Sequence, residues 1–366
     1  MIPAFNARDA LELCLLSLGH CARPPGCTLE VVVVDDGSTD GTGELVTGRA
    51  GAYPHELQYV FLPRTPASGR ASARNAGIAA ARGELIVMID ADQLVPPRLL
   101  AEHVRFHRLR ADLVVLGPRL ELGDGPIDPA ALATGFDQAA LPLVVARDSR
   151  EVLREEFSAN FNNLATCWHY LYTCNVSVRR EHLLAVGGLD ASFVGWGLED
   201  SELGFRLRRR GLAFAYNPEA GLYHRCRQEV TARMYGEWRR NLRRFVGKHP
   251  GAAEVSLQAV VGDRDITWPE AARRFEYAAR ALHGRLPRPP GFALVEVDDA
   301  GADAAIAALP GLAAGADVLV LDHTAGARLS GVVQCTDTAR ELHYFHRPPD
   351  ADRARILARH GVRRAG

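Results

Sequence analysis

Two apolar rhythms alternate along the chain, one suited to helices and one to strands. Leu11, Leu15 and Leu18 recur at helical spacing and predict a helix within Ala7–Ala22. Glu30–Asp36 reads EVVVVDD, a β-branched run closed by acids, as expected of a buried parallel strand. Gly37–Asp40 then turns, with Ser, Thr and Asp available as caps for a following helix. The rhythm repeats as a strand over Leu57–Leu62, an Ala-rich helix over Ser68–Arg82 stopped by Gly83, and strands over Glu84–Asp90 and Asp112–Gly117. Such alternation predicts an α/β, Rossmann-like fold with a mostly parallel sheet. Ligands of such sheets sit beyond the carboxyl ends of the strands. The acid pairs Asp35/Asp36 and Asp90/Asp92 fall at that edge.

After the loop Gly123–Pro129, the pattern predicts a strand over Tyr172–Val178 and a short helix over Arg179–Val186. A helix follows over Asp200–Arg210, then a strand-like run over Phe214–Tyr223. Met234, Trp238, Leu242 and Phe245 mark an amphipathic helix. GKHPG (Gly247–Gly251) punctuates, and a domain boundary is expected there, giving 1–250 and 251–366. Beyond it a second, smaller α/β pattern begins. Its strands are expected near Leu257–Val261, Phe292–Val297 and Asp317–Leu321, and its helices near Pro269–Leu286 and Ala302–Ala314. No internal repeat is visible.

A formal charge of −1 over 366 residues implies no global attraction to nucleic acid or to a membrane surface. No apolar run is long enough to span a bilayer. Seven cysteines, an odd number without close C-x-x-C pairs, fit a reduced cytoplasmic protein better than a disulfide framework. Lys248 is the only lysine, which excludes chemistry needing a second one.

Several polar groups invite chemistry, each with a plainer alternative. Asp35-Asp36-Gly37-Ser38 serves as a helix cap or as a carboxylate that recognises a base or ribose. Asp90-Ala91-Asp92 puts two carboxylates on one side of an extended segment, suiting capping or a divalent cation that also holds a diphosphate. Arg74 lies between these sites, as a surface ion pair or as an arginine aimed at the nucleotide. His224 is a core histidine or a ligand beside Asp92. The arginine clusters Arg206–Arg210 and Arg239–Arg244 read more readily as solvated helix faces than as phosphate sites. In GWGLED (Gly195–Asp200), two glycines flank an indole and two acids follow, which suits a loop that moves while carrying an aromatic plane.

Taken in order, IPAFN (Ile2–Asn6), VVVVDDGSTDGT (Val31–Thr42), ASARNAGIAAARGELIVMIDAD (Ala71–Asp92) and GGLDASFVGWGLEDSELGFRLRRRG (Gly187–Gly211) resemble family 2 glycosyltransferases of the GT-A fold. The last block resembles the galactosyltransferase-type C-terminal half seen in chondroitin-polymerase-like enzymes. The resemblance covers about two thirds of the chain, to about Phe245. It implies a metal-dependent, inverting transfer of a sugar from a nucleotide donor, most simply a UDP-sugar, to a hydroxyl acceptor on a glycan, lipid carrier or natural-product scaffold. Asp36 would hold the base with Asp35 nearby, and Arg74 would lie near the nucleotide. Asp90 and Asp92 would form the D-x-D site for Mn2+ or Mg2+, with Asp92 the direct ligand and His224 assisting. Asp200 would be the general base, Glu199 would contact a sugar, and Trp196 would stack on one. Pro3, Asn175 and Gly197 complete the implied substrate site.

Two stretches depart from the family pattern. Only Met1 and Ile2 precede Pro3, where the family's first strand has several apolar residues, which implies a stunted strand or a misplaced start. Ala259–Leu286 with Phe292–Asp322 resembles the first portion of an adenylate-forming ligase, yet no lysine follows Lys248. No ligase activity is therefore expected, and a docking module for a partner protein is one reading of this region. Two rivals to transfer are a catalytically idle scaffold presenting that module and a nucleotidyltransferase. The latter has no reason to contain GWGLED.

Overall fold

The computed structural model describes residues 1–66, 68–156, 160–225, 230–262, 266–284, 291–336, 338 and 340–362. Its strands are β1 (Ile2–Ala4), β2 (Glu30–Asp35), β3 (Glu56–Phe61), β4 (Leu85–Ile89), β5 (Gln93–Leu94), β6 (Leu113–Leu116), β7 (Arg119–Leu122), β8 (Val144–Ala146), β9 (Asn175–Arg179), β10 (Ala213–Tyr216), β11 (Leu222–His224), β12 (Ala293–Val297), β13 (Val318–Asp322) and β14 (Leu342–His346). The chain forms two compact units. The first comprises Met1–Asp148, Trp168–Leu212 and Asn217–Ser256, and the second Ser149–Cys167, Ala213–Tyr216 and Leu257–Gly366.

In the first unit β1, β2 and β3 form a parallel sheet in that order, with Ile2 opposite Val33 and Val33 opposite Tyr59. Val31–Val34 are all buried, as the unbroken β-branched run requires. Helix Arg8–Gly19 packs Leu11, Leu15 and Leu18 into the same core. Helix Arg70–Ala80 lies within the span expected for it. β1 is short, and the Met1 ammonium donates to the Val87 carbonyl at 2.9 Å. A cavity of about 370 Å3 opens beside it, at the amino ends of β2 and β4.

β9 departs from the parallel pattern. It runs antiparallel to both β4 and β6, pairing Ile89 with Asn175 and Leu116 with Val176. A smaller sheet, ordered β5–β11–β7–β8, carries the segment after Asp92. The run expected over Phe214–Tyr223 is two strands, β10 and β11, broken at Asn217–Gly221. Asn217 makes that break by capping a turn: its side-chain oxygen accepts from Glu219 N–H.

The second unit holds the parallel sheet β12–β13–β14 with helices Ala302–Gly315, Ser330–Cys335 and Asp350–Arg359. Leu257–Val261, expected as a strand, instead continues helix Ala253–Ser256 as a 3-10 turn over Leu257–Val260. Its backbone is satisfied locally, Val261 N–H donating to Gln258 O, so no strand partner is needed. Helix Trp268–Leu282 occupies most of the span expected over Pro269–Leu286, whose last two positions lie outside the described residues. The Glu276 carboxylate accepts from the backbone of Ala165 and Thr166, and the Asn160 and Asn163 amides donate to Leu342 O. Those contacts bind Ser149–Cys167 to the tail within one unit. Among the described residues no helix is long and apolar enough to cross a membrane.

Candidate active site

The carboxyl ends of β1, β2 and β4 surround a cleft of about 280 Å3 whose walls include Pro3, Asp36, Arg70, Arg74, Asp90 and Asp92. Asp35, the last residue of β2, is spent on the fold: it accepts from Ser38 N–H at 2.7 Å and from Tyr59 Oη–H at 2.8 Å. Asp36 is also buried and pairs through Oδ2 with Arg64. Its Oδ1 is buried without a hydrogen-bond partner. Burial raises the Asp36 carboxyl above its ordinary range, against the opposing Arg64 charge. Arg64 in turn covers the Phe5 ring, 4.0 Å from its centroid.

Helix Arg70–Ala80 delivers Arg74 to the cleft as a buried cation. Nη2 donates to Asp90 Oδ1 at 2.8 Å, while Nε and Nη1 are buried and unpaired. Burial alone would lower this guanidinium's pKa. Asp90, Asp200 and Glu199 together raise it instead, so all three carboxylates act on one charge.

Strand pairing brings Asp92 and His224 together. β11 runs antiparallel to β5, setting His224 opposite Gln93, and Arg225 N–H donates to Asp92 O. His224 Nε2 lies 3.2 Å from Asp92 Oδ2, and Nδ1 lies 2.8 Å from Glu121 Oε2. Burial would lower the imidazole pKa, but these two carboxylates raise it to about 9. Burial would raise the Asp92 carboxyl, yet the His224 hydrogen bond holds it below its ordinary range. Among the described residues no group of three or more His, Cys, Asp or Glu forms a metal set by itself. The pair still fits a hard cation. With the Nε2 proton displaced, an imidazole nitrogen and a carboxylate oxygen remain side by side, a donor set that suits Mn2+ or Mg2+.

GWGLED resolves into a tethered loop and a helix start. Gly195 (φ 85°) and Gly197 (φ 91°) are both left-handed, and so is Leu198 (φ 74°). A Cβ at Gly195 would lie 2.8 Å from the Glu237 carboxyl, and one at Gly197 would lie 3.0 Å from Trp238. Both positions therefore need glycine for backbone and for space. Trp196 N–H donates to Glu237 Oε2 at 2.9 Å, and the Asn241 amide donates to Gly197 O at 2.8 Å. Helix Ala232–Lys248, which carries both residues, buries only Asn241 and Phe245.

Helix Glu199–Arg209 opens with the two acids. Asp200 Oδ1 accepts from Thr173 Oγ1–H at 2.8 Å and Oδ2 from Thr173 N–H at 3.1 Å, which fixes the carboxylate plane. Glu199 is buried with Oε2 unpaired. Burial first, and then the Asp200 charge, push its carboxyl well above the usual range.

Pro3, Asp36, Arg74, Asp90 and Asp92 thus share the cleft, with Glu199 and Asp200 acting on Arg74. Asn175 is not brought in: its amide donates to Pro118 O and Ala220 O and its oxygen bonds His103, all in the core. Arg206, from the first arginine cluster, is committed to Glu202, Val186 O and Gly188 O. Glu121, Thr173, Glu237 and Asn241 escaped the motif reading. Only the i,i+4 spacing of Glu237 and Asn241 on one helix face offered a signal.

Residues 1–184, half of the chain, match the model of glycosyl transferase family 2. The chain belongs to glycosyl transferase family 2. Residues 157–228 of this family 2 transferase also match the N-terminal domain of galactosyltransferase. It is 29% identical over 297 residues to validoxylamine A glucosyltransferase of Streptomyces hygroscopicus subsp. limoneus, covering 78% of this chain and 64% of that relative. It is 25% identical over 238 residues to chondroitin synthase of Escherichia coli, covering 61% of this chain and 34% of the relative. The matched part is thus less than two thirds of either relative's length. Among solved structures it is similar to mannosyltransferase PcManGT from Pyrobaculum calidifontis in complex with GDP-Man and Mn2+, at 22% identity and a TM-score of 0.46, covering 79% of this chain and 75% of that one.

Proposed function

We propose that this family 2 transferase moves a sugar from a nucleotide-sugar donor, a UDP-sugar by preference, to a hydroxyl acceptor with inversion. The observation that carries the reading is a set of buried polar atoms left without partners: Asp36 Oδ1, Arg74 Nε and Nη1, and Glu199 Oε2. Native interiors rarely leave such groups unpaired, and each has a counterpart in a nucleotide sugar. Asp36 Oδ1 accepts the imide N–H of uracil. The two free Arg74 donors take diphosphate oxygens, charge against charge. Glu199, with its raised proton affinity, faces sugar hydroxyls.

Asp200 takes the proton of the acceptor hydroxyl as that oxygen attacks the anomeric carbon from the face opposite the leaving diphosphate. Thr173 holds the carboxylate plane for this task. Asp92 and His224 would hold Mn2+ or Mg2+, which supplies charge neutralisation at the departing diphosphate. The loop carrying Trp196 excludes water, because hydrolysis of the donor is the competing reaction. The names of the relatives, a glucosyltransferase and a chondroitin synthase, support sugar transfer as the reaction class.

The test is Asp200→Asn. The amide oxygen can still accept from Thr173 N–H, and the rotating Thr173 hydroxyl can accept from the new NH2, so the fold tolerates the change. Donor binding should stay within a few-fold of wild type while transfer disappears. Transfer within a few-fold of wild type would remove Asp200 as the base.

A further inference from the structure

We propose that Glu121 is a positioning residue for the cation site: its carboxylate, anchored by Arg119, orients the His224 ring so that Nε2 and Asp92 address one ion. The assignment rests on reading Asp92 and His224 as the cation ligands of the transferase. It adds a residue outside every motif of the chain, contributed by a strand distant in sequence from both ligands.

The geometry begins with register. β7 and β11 run parallel, and their pairing sets Glu121 directly beside His224. Paired residues of neighbouring strands project on the same face, so the carboxylate and the imidazole meet there. An ionised carboxylate can only accept hydrogen bonds. At 2.8 Å, His224 Nδ1–H therefore donates to Glu121 Oε2. Nε2–H points at Asp92 Oδ2, 3.2 Å away. With Nδ1–H held by Glu121, Nε2 is the nitrogen that gives up its proton and turns its lone pair to a cation when one binds beside Asp92.

The second Glu121 oxygen is also committed. Arg119 Nε lies 2.8 Å from Oε1, so the carboxylate is gripped on both sides and cannot swing away. Arg119 is itself placed by the strand, its N–H donating to Asp148 Oδ2 at 2.9 Å. Arg119, Glu121, His224 and Asp92 thus form an unbroken chain of polar contacts ending at the ion's position. Carboxylates placed this way fix the ring of a ligating histidine and raise the basicity of its metal-facing nitrogen; losing one typically weakens metal binding 10- to 100-fold.

Glu121→Gln discriminates sharply. Arg119 Nε–H requires an acceptor, so it retains the glutamine oxygen. The glutamine NH2 is then turned toward His224 Nδ1, which must accept, and the ring proton moves to Nε2, where it blocks the ion. The experiment measures Mn2+ binding by the electron paramagnetic resonance of free Mn2+, in the presence of UDP, for wild type, E121Q, E121A, H224A and E121A/H224A. Nitrogen-15 NMR of the Mg2+–UDP form reports the His224 tautomer. Expected are a 10- to 100-fold loss of Mn2+ affinity in E121Q and E121A, a proton on Nδ1 in wild type and on Nε2 in E121Q, and no further loss when E121A is added to H224A. UDP affinity without cation should be unchanged in E121Q and E121A. E121Q binding Mn2+ within twofold of wild type, or E121A costing as much in the H224A background, overturns the role of Glu121 while leaving the transferase reading intact. Wild type binding no Mn2+ beside UDP overturns the cation site itself and this role with it.

Discussion

Replacing Arg74 by methionine separates what this residue does for the fold from what it does for the ligand. In the free protein its guanidinium pairs with Asp90, and its Nε and Nη1 are buried without partners. Removing one partner of a buried ion pair costs about 3–5 kcal/mol. Each buried donor without a partner costs about 1–3 kcal/mol, and methionine removes two of them while keeping most of the volume. The terms largely cancel, so R74M should change unfolding free energy by no more than about 3 kcal/mol in either direction. The ligand has no such compensation. Two hydrogen bonds from a charged donor to diphosphate contribute about 1.5–3 kcal/mol each. Their loss amounts to about 3–6 kcal/mol, or about 10²- to 10⁴-fold in Kd at 1.4 kcal/mol per decade. Isothermal titration with UDP and with uridine, alongside urea denaturation, reads both quantities. UDP should weaken by that factor while uridine stays within threefold. UDP binding within threefold of wild type would refute the placement of the diphosphate on Arg74.

Gly197→Ala should destabilise the loop by about 1–2 kcal/mol, the cost of a left-handed non-glycine backbone, and lower kcat more than donor affinity; an unchanged kcat would show that the loop geometry is not needed for turnover. Burial lowers the pKa of His103 to about 4 and of His107 to about 3. Both histidines therefore take up protons more readily when unfolded. Their stabilising contribution is complete above about pH 6.5 and is lost as pH falls toward 4. Urea denaturation at pH 7 and pH 5 should show the loss, and H103N should reduce it; equal stability at both pH values would contradict the buried neutral pair. Cutting the chain at Gly251 removes Glu276 and Leu342, the partners of Ser149–Cys167 within their unit, so the fragment should aggregate or fail proteolytic challenge. A soluble, protease-resistant fragment would overturn that dependence.

The sequence disclosed the parts of this site that follow their own strand. EVVVVDD and ELIVMIDAD each end a buried run in acid, so Asp36, Asp90 and Asp92 had to emerge at the carboxyl edge. GWGLED announced its backbone demand through its glycines. What stayed hidden comes from pairing between distant segments. β5 and β7 are two and four residues long, too short for a period-two pattern to register, and Glu121 reaches His224 only through the β7–β11 register. β14, LHYFH, mixes histidine with aromatics and lacks the β-branched run that revealed β2. Asn175 is implied as a site residue by the family resemblance alone. Its amide instead closes the gap between Pro118 O and Ala220 O.

Sugar transfer from a nucleotide donor is read out by nucleoside diphosphate release from a panel of UDP-, GDP-, CDP- and ADP-sugars, with Mn2+ and with EDTA. Wild type is expected to release the diphosphate from at least one donor, a UDP-sugar first, only with the cation present, and D200N is expected to release none above background. Equal release in EDTA, release by D200N at the wild-type rate, or no release from any donor offered with Mn2+ and hydroxyl acceptors would contradict the account.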